Sequence, residues 1–209
     1  MPIQTFRRAP ERARPEVALG PGASLVRGRA HEGCGAARRT FALWLAARMD
    51  GPVFWIAPDW AGDRLNPDGV ARFLNPARLT FLSPRRPEDV LWTMEEALRA
   101  GAVPLVVADI PGLPGLTPVR RLHLAAETGA AEGDHVPLGL LLTPGNGGAQ
   151  GVESRWRMAP AHRGEDEGWT LHRLRARTAP EKHWQVAADG DGLRLVDTPA
   201  AAQAELALR

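Results

Sequence analysis

The chain has a single cysteine, Cys34, among 209 residues. That excludes an intramolecular disulfide and a cysteine-built zinc cluster. Lysine is almost missing: of 26 basic residues only Lys182 is not arginine. Arginine makes bidentate contacts to phosphate and carboxylate that lysine does not match. The accompanying wealth of Ala, Gly and Pro is equally what a GC-rich genome produces, so the bias carries little functional weight. No run of about 18 apolar residues occurs, so no membrane-spanning helix is expected. The N-terminal region, with Arg7, Arg8, Arg12 and Arg14 among prolines, lacks the apolar stretch of a secretory signal, and a cytoplasmic location is the expectation. The formal charge is only +2, too small to mark a nucleic-acid binder by itself. What is present, 44% hydrophobic and 24% charged residues, suits one globular domain with a real core.

Residues 1–16 read as a basic, proline-bearing arm, either a solvated tail or a partner- or DNA-touching segment. Residues 17–198 read as one domain, and 199–209 as a short alanine-rich helix or tail. Within the domain, strands and helices alternate. Leu25–Glu32 is a strand candidate entering a glycine turn, Gly33-Cys34-Gly35, and Ala36–Arg48 is a buried helix. Val53–Ala57, Leu79–Leu82, Val103–Ile110 and Leu138–Leu142 are short apolar strands. Pro87 followed by Glu88 and Asp89 starts a helix that carries Val90, Leu91, Met94 and Leu98 and stops at Gly101. Thr117-Pro118 starts another, with Val119, Leu122 and Ala126 on one face. Apolar strands that do not alternate are buried on both faces, and intervening helices make parallel crossovers. The fold class is therefore α/β, with a mostly parallel sheet covered by helices.

After Gly151 the texture changes to antiparallel strands. Arg155–Arg157, Trp169–Arg177 and Trp184–Val196 are strand candidates, the last folded on a hairpin turn at Asp189-Gly190-Asp191-Gly192. Trp169–Arg177 does not alternate cleanly, which suggests a bulge or an edge position. These strands interleave Trp156, Trp169 and Trp184 with Arg155, Arg157, Arg173, Arg175 and Arg177. Three readings stand: core tryptophans with a solvated arginine face, a protein contact surface, or a stacking surface for single-stranded DNA.

The strand, turn and helix at 28–48 have the layout of a phosphate-binding loop, Gly, four residues, Gly, Lys, then Ser or Thr. The frame here is Gly33, Cys34-Gly35-Ala36-Ala37, Arg38, Arg39, Thr40. Gly33 and Thr40 fit. The second glycine is Arg38, which puts a side chain where backbone should meet phosphate. The lysine is Arg39, a planar fork rather than a compact ammonium. Asp109 closes an apolar strand about 70 residues later and suits a magnesium ion held through water or a polar cap on the sheet edge. Gly33, Gly35, Arg38, Arg39, Thr40 and Asp109 thus form a vestigial nucleotide site or a tight turn into a buried helix. ATP and magnesium are disfavoured, no cofactor or metal is expected, and the chain is expected not to be an enzyme, with a slow ATPase as the residual alternative. His31, Glu32 and Cys34 lack the partners needed to close a coordination sphere.

The order of these parts resembles the RecA core over roughly residues 19–180. Gly28–Gly33, Val53–Ala57 and Arg99–Asp109 carry the likeness. Two features depart from it. Ala57-Pro58-Asp59-Trp60 stands where the family has its water-activating glutamate, and the DNA-contacting loop is reduced to Gly145–Gln150. Pro84–Pro87, Leu91–Arg99, Arg120–Glu127 and Ser154–Pro160 are similar to the ImuA group, RecA-like proteins of bacterial mutagenesis cassettes. That resemblance implies an SOS-response role: assembling a Y-family-like polymerase homologue and an error-prone replicative-type polymerase for translesion synthesis, with RecA and DNA as further partners. The alternative is a SulA-like inhibitor of the tubulin-like division protein.

Overall fold

The computed structural model describes residues 14–196 apart from Asp63, Glu165 and Asp191. Most of the basic arm and the whole 199–209 segment therefore lie outside the described residues.

Among the described residues, eleven strands and four α-helices follow one another. β1 (Glu16–Gly20) and β2 (Ala23–Val26) pair antiparallel as a separate ribbon. Then come β3 (Ala30–Cys34), α1 (Arg38–Ala47), β4 (Val53–Ile56), α2 (Pro67–Ala71), β5 (Leu79–Leu82), α3 (Pro87–Ala100), β6 (Leu105–Asp109), α4 (Leu116–Glu132) and β7 (Leu138–Leu142). β8 (Ser154–Pro160), β9 (Gly168–Ala176), β10 (Lys182–Asp189) and β11 (Gly192–Val196) complete the domain. Nine strands form one mixed sheet in the order β11-β10-β9-β8-β3-β7-β6-β4-β5. The run from β8 to β5 is parallel, and β8 to β11 is an antiparallel extension. The architecture is α/β, as expected from the apolar runs.

Successive residues of β6 show why those runs do not alternate. Leu105 and Val107 enter a core shared with α1, whereas Val106 and Ala108 enter one shared with α3 and α4. The strand is covered on both faces, so every position is apolar. On the second face α3 and α4 approach so closely that a Cβ on Gly129 would lie 2.0 Å from the Leu98 carbonyl oxygen.

Two expectations need correction. Leu25–Glu32 is not one strand: Arg27–Arg29 break it, and the Gly28 N–H donates to the Pro137 carbonyl at 2.7 Å. Gly33 and Cys34 belong to β3 rather than to a turn, because Gly33 pairs with Leu142 on one side and Trp156 on the other. For Trp169–Arg177 the expected bulge is present and the edge position is not, since β9 lies between β10 and β8. Its bulge falls at Leu174, the extra residue between Arg173 and Arg175 opposite Trp156 and Arg155.

Candidate functional site

The carboxyl ends of β3, β7, β6 and β4 lie side by side along one edge of the sheet, where open α/β sheets place ligands. β3 delivers Cys34 to this edge, and only Gly35, Ala36 and Ala37 separate it from α1. The turn is tight. Gly35 has φ +89°, and a Cβ there would stand 2.3 Å from the Met158 carbonyl oxygen, so no other residue fits without backbone movement.

A phosphate loop works by aiming free backbone N–H groups at an anion. Here the Gly35 N–H donates to the Gly145 carbonyl at 2.9 Å, Ala37 to Met158 at 3.0 Å and Arg38 to Gly35 at 3.2 Å. These donors already have protein partners. With Gly33 inside β3, the wide loop that the sequence frame implied is not formed.

Of the six residues singled out, the structure brings together Arg38, Arg39 and Asp109. Arg39 Nε donates to Asp109 Oδ2 at 2.6 Å, and an Arg38 guanidinium nitrogen lies 3.5 Å from Oδ1. Asp109 is buried, and both arginines are partly exposed. Each carboxylate oxygen thus faces a cation, where a magnesium ion would need it free. Thr40 lines a cleft of 280 Å³ with Leu43, Leu65 and Asn66, while Asp109 lines another of 200 Å³ with Trp55, Asp59 and Arg64. Arg39 forms part of both walls. Both clefts are smaller than the roughly 300–1,000 Å³ of ordinary ligand pockets.

Two strands from Asp109, β3 carries a carboxylate whose partners the sequence did not disclose. Glu32 is fully buried, and its side chain organises the segment after β7. Oε1 accepts from Thr143 Oγ1 at 2.6 Å, from the Gly148 N–H at 2.7 Å and from the Ala149 N–H at 3.0 Å. Oε2 accepts from Arg155 Nε, whose guanidinium also donates to the Ala149 carbonyl at 2.9 Å. The short Gly145–Gln150 segment is therefore strapped down from β3 and β8. Burial first, then the Glu32 charge, pushes the Cys34 thiol up to about 12, so it stays protonated and is a poor nucleophile.

His31, one residue earlier, is part of a neutral relay. Nε2 faces the Val26 carbonyl at 2.8 Å, and a carbonyl can only accept, so Nε2 carries the proton. Nδ1 then accepts from Ser154 Oγ at 2.7 Å, and Ser154 Oγ accepts from Trp156 Nε1 at 2.7 Å. Burial lowers His31 from its ordinary 6.5 to about 4, against the raising effect of the Val26 bond. Because the folded value lies below the unfolded one, the unfolded chain binds the proton first as pH falls. The His31 contribution is complete above pH 6.5 and is lost between 6.5 and about 4, in all about 3 kcal/mol. Urea melts across that window should show the midpoint falling with acid, and His31→Gln should flatten the slope.

The tryptophan–arginine strands sort by burial. Trp156, Trp169 and Trp184 are all in the core, with Trp156 stacked on Phe41 and on Trp184 at centroid distances of 6.1 and 5.7 Å. Arg173 is buried with them, its guanidinium 5.5 Å from the Trp156 ring centroid and 5.3 Å from that of Trp184. Arg155 is held by Glu32. Only Arg157, Arg175 and Arg177 face solvent. The tryptophans do not form the exposed stacking or contact surface considered for them; they pack the antiparallel extension against α1.

Exposed apolar surface occurs elsewhere. Trp60 is 45% and Leu113 is 54% exposed, and they flank a groove of 200 Å³ lined by Val90, Leu91, Ile110 and Pro114. Its walls come from the segments after β4 and β6 and from the start of α3. Leu113 sits in a Pro-Gly-rich connection, where no helical or strand period could have marked it.

Fold and site define an α/β protein with a nine-stranded mixed sheet and an ion-paired cleft at its carboxyl edge. No protein-family model matches the chain, and no curated protein matches it.

Proposed function

We propose that this chain is a non-catalytic, RecA-like accessory protein of damage-induced mutagenesis, which assembles translesion polymerase components in the bacterial cytoplasm through protein contacts. The observation that carries the reading is Arg39 on Asp109, with Arg38 beside it. An aspartate engaged by two guanidinium groups, behind a turn whose Gly35, Ala37 and Arg38 N–H groups have protein partners, is poorly suited to holding magnesium and a triphosphate. The strand order β5-β4-β6-β7-β3-β8, with the turn after β3 and an aspartate closing β6, supports the RecA-like part of the reading.

The Trp60–Leu113 groove favours protein contact, since large exposed apolar residues around a concave surface mark interaction sites. DNA contact has less support, because a single-strand site needs exposed aromatics and the arginine strands bury theirs. The test is affinity purification of the tagged full chain from DNA-damaged cells. The reading expects the two mutagenesis polymerases to co-purify and to be lost with Leu113→Asp. Recovery of the tubulin-like division protein instead would favour the inhibitor alternative, and recovery of neither would overturn the assembly role.

A further inference from the structure

The back of the β9–β10 hairpin carries a cluster that the proposed assembly role does not use. His172 on β9 and His183 on β10 are direct cross-strand partners, and their rings stack at a centroid distance of 3.5 Å with 28° between planes. Glu181, just before β10, turns its carboxylate onto them: Oε1 is 2.6 Å from His172 Nε2 and 4.0 Å from His183 Nε2. The three donor atoms lie within 4.8 Å of one another. Both histidines are largely covered, whereas Glu181 is exposed, so the group opens to solvent on one side only.

We propose that His172, Glu181 and His183 form a binding site for a divalent transition-metal ion of the zinc class, which staples β9 to β10. Two imidazole nitrogens and one carboxylate oxygen suit zinc, cobalt, nickel or copper better than magnesium or calcium, which prefer all-oxygen shells. Metal–nitrogen bonds of about 2.0–2.1 Å bring donors to roughly 3.3 Å apart in a tetrahedron, so a modest closure of the cluster and one water complete the shell. Facing strands fix both histidines by backbone pairing, so closure asks little of the fold. The adjacent cation is Arg157, which pairs with His172 from β8 and is exposed. It opposes a second positive charge and limits affinity. A metal held by the native hairpin, and not by the unfolded chain, raises stability by mass action.

The experiment is calorimetric titration of the chelator-stripped full chain with zinc chloride, followed by thermal melts with and without zinc. The expected result is one ion per chain and a midpoint raised by about 5 °C or more at a hundredfold excess over Kd. Cobalt(II) in place of zinc should give visible bands of a four-coordinate site. Glu181→Gln, on an exposed residue that cannot endanger folding, and His183→Gln should each weaken binding at least tenfold, whereas His135→Gln should leave it unchanged. No saturable binding, or binding equally lost with His135→Gln and retained with His183→Gln, would overturn the proposal.

Discussion

Glu32→Ala should cost about 3–5 kcal/mol, the scale for removing one partner of a buried charged pair. The truncation leaves Arg155 half-buried without its carboxylate. It also leaves the Thr143 hydroxyl and the Gly148 and Ala149 N–H groups without their acceptor. Against an ordinary total stability of about 5–15 kcal/mol, that is a third or more of the total for most of the range, and at its low end it brings the folded and unfolded states near balance. Guanidinium melts of wild type and variant measure it. A second variant separates charge from packing. Glu32→Leu with Arg155→Met removes both charges and should recover part of the loss, because apolar pairs often replace buried ion pairs at little cost. A loss below about 1 kcal/mol for Glu32→Ala would mean that the strap on Gly145–Gln150 holds nothing.

Trp156→Ala should be comparably damaging, at about 3–5 kcal/mol for a fully buried large aromatic. The side chain is the centre of the antiparallel extension. It stacks on Phe41 of α1 and on Trp184 of β10, carries the Arg173 guanidinium on its face, and donates to Ser154. Arg173 itself is held by the Gly22 and Pro180 carbonyls, each at 2.9 Å. Burial lowers its pKa, a cost that the two rings and two carbonyls offset. Trp156→Phe keeps most of the volume and loses the Ser154 bond, so it should cost less while still disturbing the relay to His31. A double-mutant cycle between Trp156→Phe and Arg173→Met would read the cation–ring coupling directly. Near-neutral Trp156→Ala would place this ring on a surface rather than in the core.

Of the parallel strands, β4, β6 and β7 were legible because each is covered on both faces and reads as an unbroken apolar run, whereas the edge strand β5 leaves Phe81 exposed. Leu138–Leu142 is the clearest case, and its sequence bounds are those of β7. β3 was not legible as it stands. Ala30-His31-Glu32-Gly33-Cys34 is wholly buried but looks like a polar lead into a glycine turn. Its polar residues are tolerated because Ser154 and Arg155, more than 120 positions later, satisfy them. Such pairing has no local signature. The tryptophans raised the converse difficulty. Trp156 stands between Arg155 and Arg157, and such alternation identifies two faces without saying which is covered, while Arg173 shares the buried face of β9 with Trp169. In the candidate site, Arg38 and Arg39 were readable as departures from a phosphate loop. Their shared hold on Asp109 follows from β7 lying between β3 and β6, a neighbour relation that only the assembled sheet provides.

Calorimetric titration of the purified full chain with ATP and magnesium, paired with a phosphate-release assay, bears most directly on the ion-paired cleft. The account predicts no saturable heat at ATP concentrations up to about 1 mM, a range that would detect any affinity stronger than roughly −4 kcal/mol, and no phosphate release above buffer. Saturable binding with steady turnover, abolished by Asp109→Asn or Arg39→Ala in variants that remain folded, would contradict it.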